Sequence, residues 1–426
     1  MKAAPDVWLA EPLRVTTELR HPTYIHHYLR AAAAAIKNGA TAPVGEMLDV
    51  IGLVRANPWP PEVLGRDDFE YDNGWQEAEQ ATVEVIKALA ERDVGFAGRN
   101  DETWAILETE VRDRSQPSGV LSGARDPLDH AINRRCTRAL DAALSFMAHE
   151  FRSAGFVRPA VLALLEDSLR IEGADGAEHR AIIATKLGFL RHVAPDWLEG
   201  LAGLIFGADA PEGLSQLTAD LAIKWGRPNR WLHERYRDLL RDAVTRDVEH
   251  AIDHLLLAML WGVPGYTVHD NVAFLRQSPE LLSKAGESLG RLLRQGDAED
   301  AHVAVATSFW NAAVDVGDGL ALAGFGWMAE AMTIDDENWA VLTQKTLGLT
   351  GGKLDWAHKV ADRAAASAPS TTTLSIMNSL VRSIDDEWDR RGTAEKAVAL
   401  LQAATELAGT PEYERLRTTL LERGAL

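Results

Sequence analysis

The chain runs from Pro22 to Arg423 as one apolar stripe of helical period after another, with no stretch that alternates at the two-residue period of a strand. In Val157–Ile171 the stripe is Val157, Val161, Leu164, Leu165 and Leu169. In Leu281–Leu293 it is Leu282, Ala285, Leu289, Leu292 and Leu293, and in Ala397–Leu407 it is Ala397, Leu400, Leu401, Ala404 and Leu407. Between Val248 and Trp261 both faces are apolar, which predicts a helix covered on most sides. The punctuation agrees: Ser278-Pro279 and Thr410-Pro411 read as helix starts, Pro195 restarts a helix, and Gly296, Gly409 and Gly424 read as stops. The pattern predicts roughly 18 to 20 helices of about 10 to 18 residues.

At 426 residues the chain is too long for one compact core. No strict repeat period is visible, but the alternation of helical hairpins predicts an all-α, irregular α-solenoid or superhelix rather than stacked bundles. Ser115–Pro127, rich in Gly, Ser and Pro, is the expected boundary. It separates an N-terminal helical segment (1–114) from a central repeat region (128–330), followed by a C-terminal segment (331–426), all within one continuous superhelix. Thirteen tryptophans outnumber ten phenylalanines and six tyrosines and are spread from Trp8 to Trp388, as expected of packing wedges between helices.

Sixty-three acidic against 44 basic residues give a formal charge of −19, which disfavours nucleic acid as a partner. The arginines from Arg227 to Arg241 interleave with Glu234 and Asp238, the pattern of a salt-bridged exposed face. A single cysteine, Cys136, fits a reducing compartment. No signal-like start and no apolar run near the ~18 residues of a membrane span point to a cytoplasmic protein without a membrane partner.

Four groups carry a trace of chemistry. Lys353 follows Gly351-Gly352, but Leu347 stands where a phosphate loop has its first glycine and Leu354 where it has its hydroxyl, so the glycines read as a helix C-cap. His250 and His254 are one helical turn apart and are metal candidates needing a third ligand such as His233 or His269. His269-Asp270 has the order of a phosphohydrolase metal pair. Asp385, Asp386 and Asp389 match a magnesium-diphosphate motif but lack a second motif to complete it. Cys136 lies on an apolar stripe and reads as a core residue. These fragments predict no catalytic residue and no cofactor. An all-α metal-dependent enzyme acting on a phosphorylated or diphosphate substrate is the alternative, and a structural or oligomerisation spacer a third reading. For a protein partner, the natural aromatic anchors are Trp59 and Tyr71, in the proline-rich acidic segment Asn57–Gly74.

A series of short blocks resembles the C-terminal helical half of large bacterial STAND-type antiphage defence proteins. They are Asp126-Pro127 with Ala131-Ile132-Asn133, Asp196-Trp197 with Ile205-Phe206, Leu260-Trp261-Gly262, Phe325-Gly326-Trp327, Asp335 through Trp339, and Thr350-Gly351-Gly352. The chain departs from that pattern at Arg134-Arg135-Cys136, where a small residue followed by Arg-Gly is usual. The resemblance implies a sensor or scaffold whose partner is a phage protein or another defence subunit, and it carries over no catalytic residue.

Overall fold

The computed structural model describes residues 5–19, 21–56, 74–116, 118, 126–294, 299–316, 319–383 and 387–426, the backbone alone for 387–390. Among these residues every regular element is a helix, as the sequence predicts. The helices are often shorter than expected. The run around Pro195, for example, breaks into Leu187–Val193, Pro195–Gly200 and Ala202–Phe206; Pro195, which has no amide to continue the first helix, starts the second, and Gly207 caps the third.

Two compact units, Met1–Arg227 and Pro228–Leu426, make up the chain. In the first, the helices used below are α1 (Pro22–Lys37), α2 (Val44–Ala56), α3 (Gly74–Glu91), α4 (Asn100–Arg112), α5 (Arg135–Ala154), α6 (Pro159–Leu169), α7 (Gly173–Ala184) and α8 (Leu214–Trp225). Helix α1 packs on α3, α3 on α5, α5 on α7 and α7 on α8, while α2, α4 and α6 lie against this row. The row forms because each member has a wide apolar face: α1 buries Ile25, Tyr28, Leu29, Ala32, Ala33 and Ile36 at three- and four-residue spacing. Helices on both sides of the linker expected at Ser115–Pro127 belong to this one unit, and Arg134 grips the carbonyl of Gln116 across it.

The second unit contains α9 (Ala251–Leu260), α10 (Val268–Leu275), α11 (Pro279–Arg294), α12 (Asp300–Asp315), a 3₁₀ helix (Leu320–Glu330), α13 (Asp336–Leu349), α14 (Ala357–Ala366), α15 (Thr371–Ser383), α16 (Glu387–Ala403) and α17 (Pro411–Glu422). Each helix packs on the one two places along. One rank runs α9, α11, the 3₁₀ helix, α14, α16; the other runs α10, α12, α13, α15, α17. The expected stripes face these contacts: Leu282, Ala285, Leu289 and Leu293 are buried on α11, and Ala397, Leu400 and Leu401 on α16. Trp104, Trp231, Trp310 and Trp339 are buried wedges, and the indole N–H of Trp310 donates to Thr346 Oγ1 at 3.0 Å.

The 3₁₀ helix is long for its kind, and glycine explains how it is held. It lies so close to α11 that a Cβ on Gly290 would sit 2.6 Å from the carbonyl carbon of Trp327, and one on Gly324 would collide with the backbone oxygen of Ser283. A Cβ on Gly326 would collide with the backbone oxygen of Asp355 on its other side. The amide of Gly324 takes its hydrogen bond from this approach, donating to Ser283 Oγ at 2.9 Å.

Three arginines are buried where helices end. Arg180 of α7, fully buried, donates to the carbonyls of Leu169, Leu204 and Ile205 and to Thr218 Oγ1 at 2.6 to 3.1 Å. It thereby caps the last turns of α6 and of Ala202–Phe206. Arg363 of α14 donates to the carbonyls of Met328, Ala331 and Ile334 and to Asp336 Oδ1, and lies 4.6 Å from the Trp339 ring centroid. Arg134 links Gln116 to Asp175 and Glu178.

Replacing Gly326 with alanine should lower stability by about 3 kcal/mol, because backbone rather than a movable side chain must yield. Gly348→Ala, in open space on α13, should raise it by about 0.5 to 1 kcal/mol through helix propensity. Urea-unfolding midpoints measure both, and equal midpoints for the two variants would contradict the close-approach account.

Candidate protein-binding groove

A groove of about 400 Å³ opens in the first unit, lined from α1, α3, α5 and α7 and by Ile132. Its apolar lining is Ala33, Ala34, Val83, Ala88, Ile132 and Ile182, with Ile132 53% exposed. Around this floor three carboxylates are each shared by two cations. Glu84 pairs with Arg30 at 3.7 Å and with Arg138. Glu91 pairs with Lys37 at 3.4 Å and Lys87 at 3.7 Å. Asp141 pairs with Lys87 and, at 3.3 Å, with Lys186.

The helical spacing explains this convergence. Glu84, Lys87 and Glu91 recur at i, i+3 and i+7 on α3, Arg30 and Lys37 are two turns apart on α1, and Arg138 and Asp141 are one turn apart on α5, so each set shares a helix face. Where these helices pack side by side the charges interleave. Burial opposes ionisation of both Asp141 and Lys87. Lys186 and Lys87 nevertheless hold Asp141 below the ordinary carboxylate range, and Asp141 and Glu91 hold Lys87 above the ordinary lysine range. Both groups are therefore charged at neutral pH.

Three of the five cations lie further out than the carboxylates, while Lys87 and Arg138, 31% and 27% exposed, lie level with them. The carboxylates are 20 to 32% exposed, whereas Lys37 is 65%, Arg30 58% and Lys186 39% exposed. Five cations against three carboxylates leave a cationic rim over an apolar floor, in a chain whose formal charge is −19.

Among the described residues, the candidate histidines His250 and His254 lie in separate surroundings. His250 starts α9 in a left-handed conformation (φ 66°), is 52% exposed, and contacts Asp253 Oδ2 through Nδ1 at 3.0 Å. Asp253 also accepts from Ser288 Oγ and lies 3.6 Å from Arg291, so this small acidic recess has an acid between its histidine and its serine. A nucleophilic triad requires the histidine in the middle. His254 faces the other way. It is buried, with Nδ1 3.2 Å from His233 Nε2, and His233 packs against Trp261 and Tyr266. The pair is thus one exposed histidine and one held in the core by His233, itself nominated from the sequence as a third ligand.

His269 is exposed in the first turn of α10, where Asp270 binds the N-cap Thr267. Gly351 and Gly352 form the expected C-cap, with the Gly352 amide donating to Leu347 at 2.8 Å. Cys136 is buried, and burial outweighs Arg134 to push its thiol up. Among the candidate arginines, Arg230 pairs with Glu234 at 2.7 Å and Arg237 with Asp238 at 3.8 Å, while Arg241 lies over the Phe274 ring. Asp385, Asp386, Trp59 and Tyr71 lie outside the described residues, as does the side chain of Asp389. No group of three or more potential metal ligands occurs among the described residues, and no helix there is long and apolar enough to cross a membrane. Comparison with protein-family models, curated proteins and solved structures finds no match to this chain.

Two buried histidines carry a pH dependence. Burial pushes His233 and His179 down to about 4, with Arg114 and Arg134 adding to the effect at His179. An unfolded histidine takes up its proton near 6.5. Below that pH the unfolded chain binds more protons than the folded one, so stability is full above about 6.5 and falls towards about pH 4, by roughly 3 kcal/mol per ring over the whole window. Urea unfolding at pH 7.0 and 4.5 should show this loss, and His233→Phe should shrink it. A stability unchanged between the two pH values would contradict it.

Proposed function

We propose that the chain is a non-catalytic, solenoid-type helical binding module that holds a protein partner. The observation that carries this reading is the two-rank packing of the second unit, in which each helix rests on the one two places along. Such packing is how helical repeats extend a surface without closing a core, and their binding specificity comes from side chains on that surface. The row of α1, α3, α5 and α7 with its groove extends the same logic to the first unit. Support also comes from the chemistry: among the described residues, the histidines, aspartates and serine with catalytic potential are spent on caps, core contacts and ion pairs. A role in antiphage sensing, with a phage protein or another defence subunit as partner, rests on the resemblance of the ordered sequence blocks.

The test is capture with the full chain as bait from bacterial cells before and after phage infection. A protein retained in stoichiometric amount, without turnover of added phosphorylated metabolites, is the expected result. If no protein is retained and light scattering shows only self-association, the chain is a spacer. Metal-dependent hydrolysis of a phosphate ester would make it an enzyme.

A further inference from the structure

We infer that the groove between α1, α3, α5 and α7 receives an acidic segment of a partner protein that carries at least one apolar side chain. The inference rests on the reading of the chain as a binding module and deepens it by giving the partner's chemistry. Three observations converge.

The first is the vertical order of charge. Glu84, Glu91 and Asp141 are each claimed by two cations and are less exposed than Arg30 and Lys37 of the lining and Lys186 beside it, so these three cations are the charges most open to a ligand. A carboxylate arriving at that rim does not have to break a private ion pair. It joins cations that already share their partners, which lowers the desolvation cost that weighs against burying a new pair. The second is the floor: Ala33, Ala34, Val83 and Ala88 are small side chains that leave space, and Ile132 and Ile182 give it an apolar wall. A floor of this kind selects for an apolar anchor between the acidic residues.

The third is contrast with the rest of the chain. A formal charge of −19 repels any long polyanion, so a nucleic-acid backbone gains at the groove and loses along the remaining surface. A short acidic segment makes its contacts within the rim alone. A basic segment is excluded by the rim itself.

The experiment is selection of displayed random dodecapeptides on the immobilised full chain, with fluorescein-labelled oligothymidylate as a second probe. The selected pool should be enriched in Asp and Glu flanking single Leu, Ile or Phe residues. Charge reversal at the rim, Arg30→Glu with Lys37→Glu, should cut recovery of that pool about ten-fold. Ala34→Trp, which fills the groove from an exposed position and leaves every charge in place, should do the same. The second variant keeps the test decisive if the first is poorly folded.

A pool without acidic enrichment, or one recovered equally by wild type and Ala34→Trp, overturns the assignment. Neutral peptides held independently of the groove would do so while leaving the binding-module reading intact. Oligothymidylate that binds and displaces the acidic peptides would overturn it in favour of nucleic acid. If no peptide is retained at all, the acidic-segment assignment falls, and the bait experiment separately decides the module.

Discussion

Buried helix ends are the constraint on which this architecture depends. A chain built from many short helices has many C-termini, and each leaves four carbonyls without intrahelical partners. At the surface water satisfies them. In the interior each unsatisfied carbonyl costs on the order of 1 to 3 kcal/mol. Arg180 and Arg363 answer this problem in the two units by the same means. Each inserts a guanidinium between helices and spreads its N–H groups over three backbone carbonyls. The planar fork suits this task as an ammonium would not, because its donors point in fixed, divergent directions. Around Arg180 no carboxylate takes part in these bonds, and burial pulls it down to about 10, which still leaves it charged at neutral pH. The partial negative charge at helix C-termini supplies the compensation that a carboxylate would otherwise give.

The glycines of the second unit solve a related problem. A 3₁₀ helix has poorer hydrogen-bond geometry than an α-helix, so a long one needs tertiary support. Gly286 and Gly290 on α11, facing Phe325 and Trp327, let the two backbones approach, and Phe325 then lies near-parallel to Trp310. Arg363 holds the far end by binding Met328, Ala331 and Ile334. Close backbone approach and a buried donor together keep one rank continuous where an α-helix is absent.

Much of this was legible in the sequence, and what was not shares one cause. The stripes on α6, α11 and α16 and the caps at Thr410 and Gly351 are local patterns, decided within one or two turns. Arg180 was not recognised because it ends the polar run Glu178-His179-Arg180, which reads as an exposed stretch, whereas packing buries α7 from Gly176 to Ala184. Its signal was the presence of arginine amid Ala181, Ile182 and Ile183. His250 and His254 are one turn apart in sequence, and the left-handed residue at His250, where the helix begins, leaves its ring exposed while His254 is buried on His233, a neighbour 21 residues away that spacing alone does not select. The groove charges were visible only as separate i, i+3 and i, i+7 sets on α1, α3 and α5. Which sets meet is decided by packing between helices 50 or more residues apart, as for Lys87 and Asp141.

On the proposed reading, the groove sets a locally cationic rim on an otherwise acidic chain. Most of the chain's surface charge repels other polyanions and copies of itself. Within about 8 to 10 Å, the Debye length at physiological salt, only the local charges count. Inside that radius Arg30, Lys37 and Lys186 outweigh the deeper carboxylates, because those are already shared with Lys87 and Arg138. Long-range repulsion and short-range attraction then act on different ligands. A long uniform polyanion feels the whole chain, whereas an acidic patch on an otherwise neutral or basic protein feels the rim. Selectivity of that kind needs no catalytic residue, only the packing that brings faces of α1, α3, α5 and α7 together.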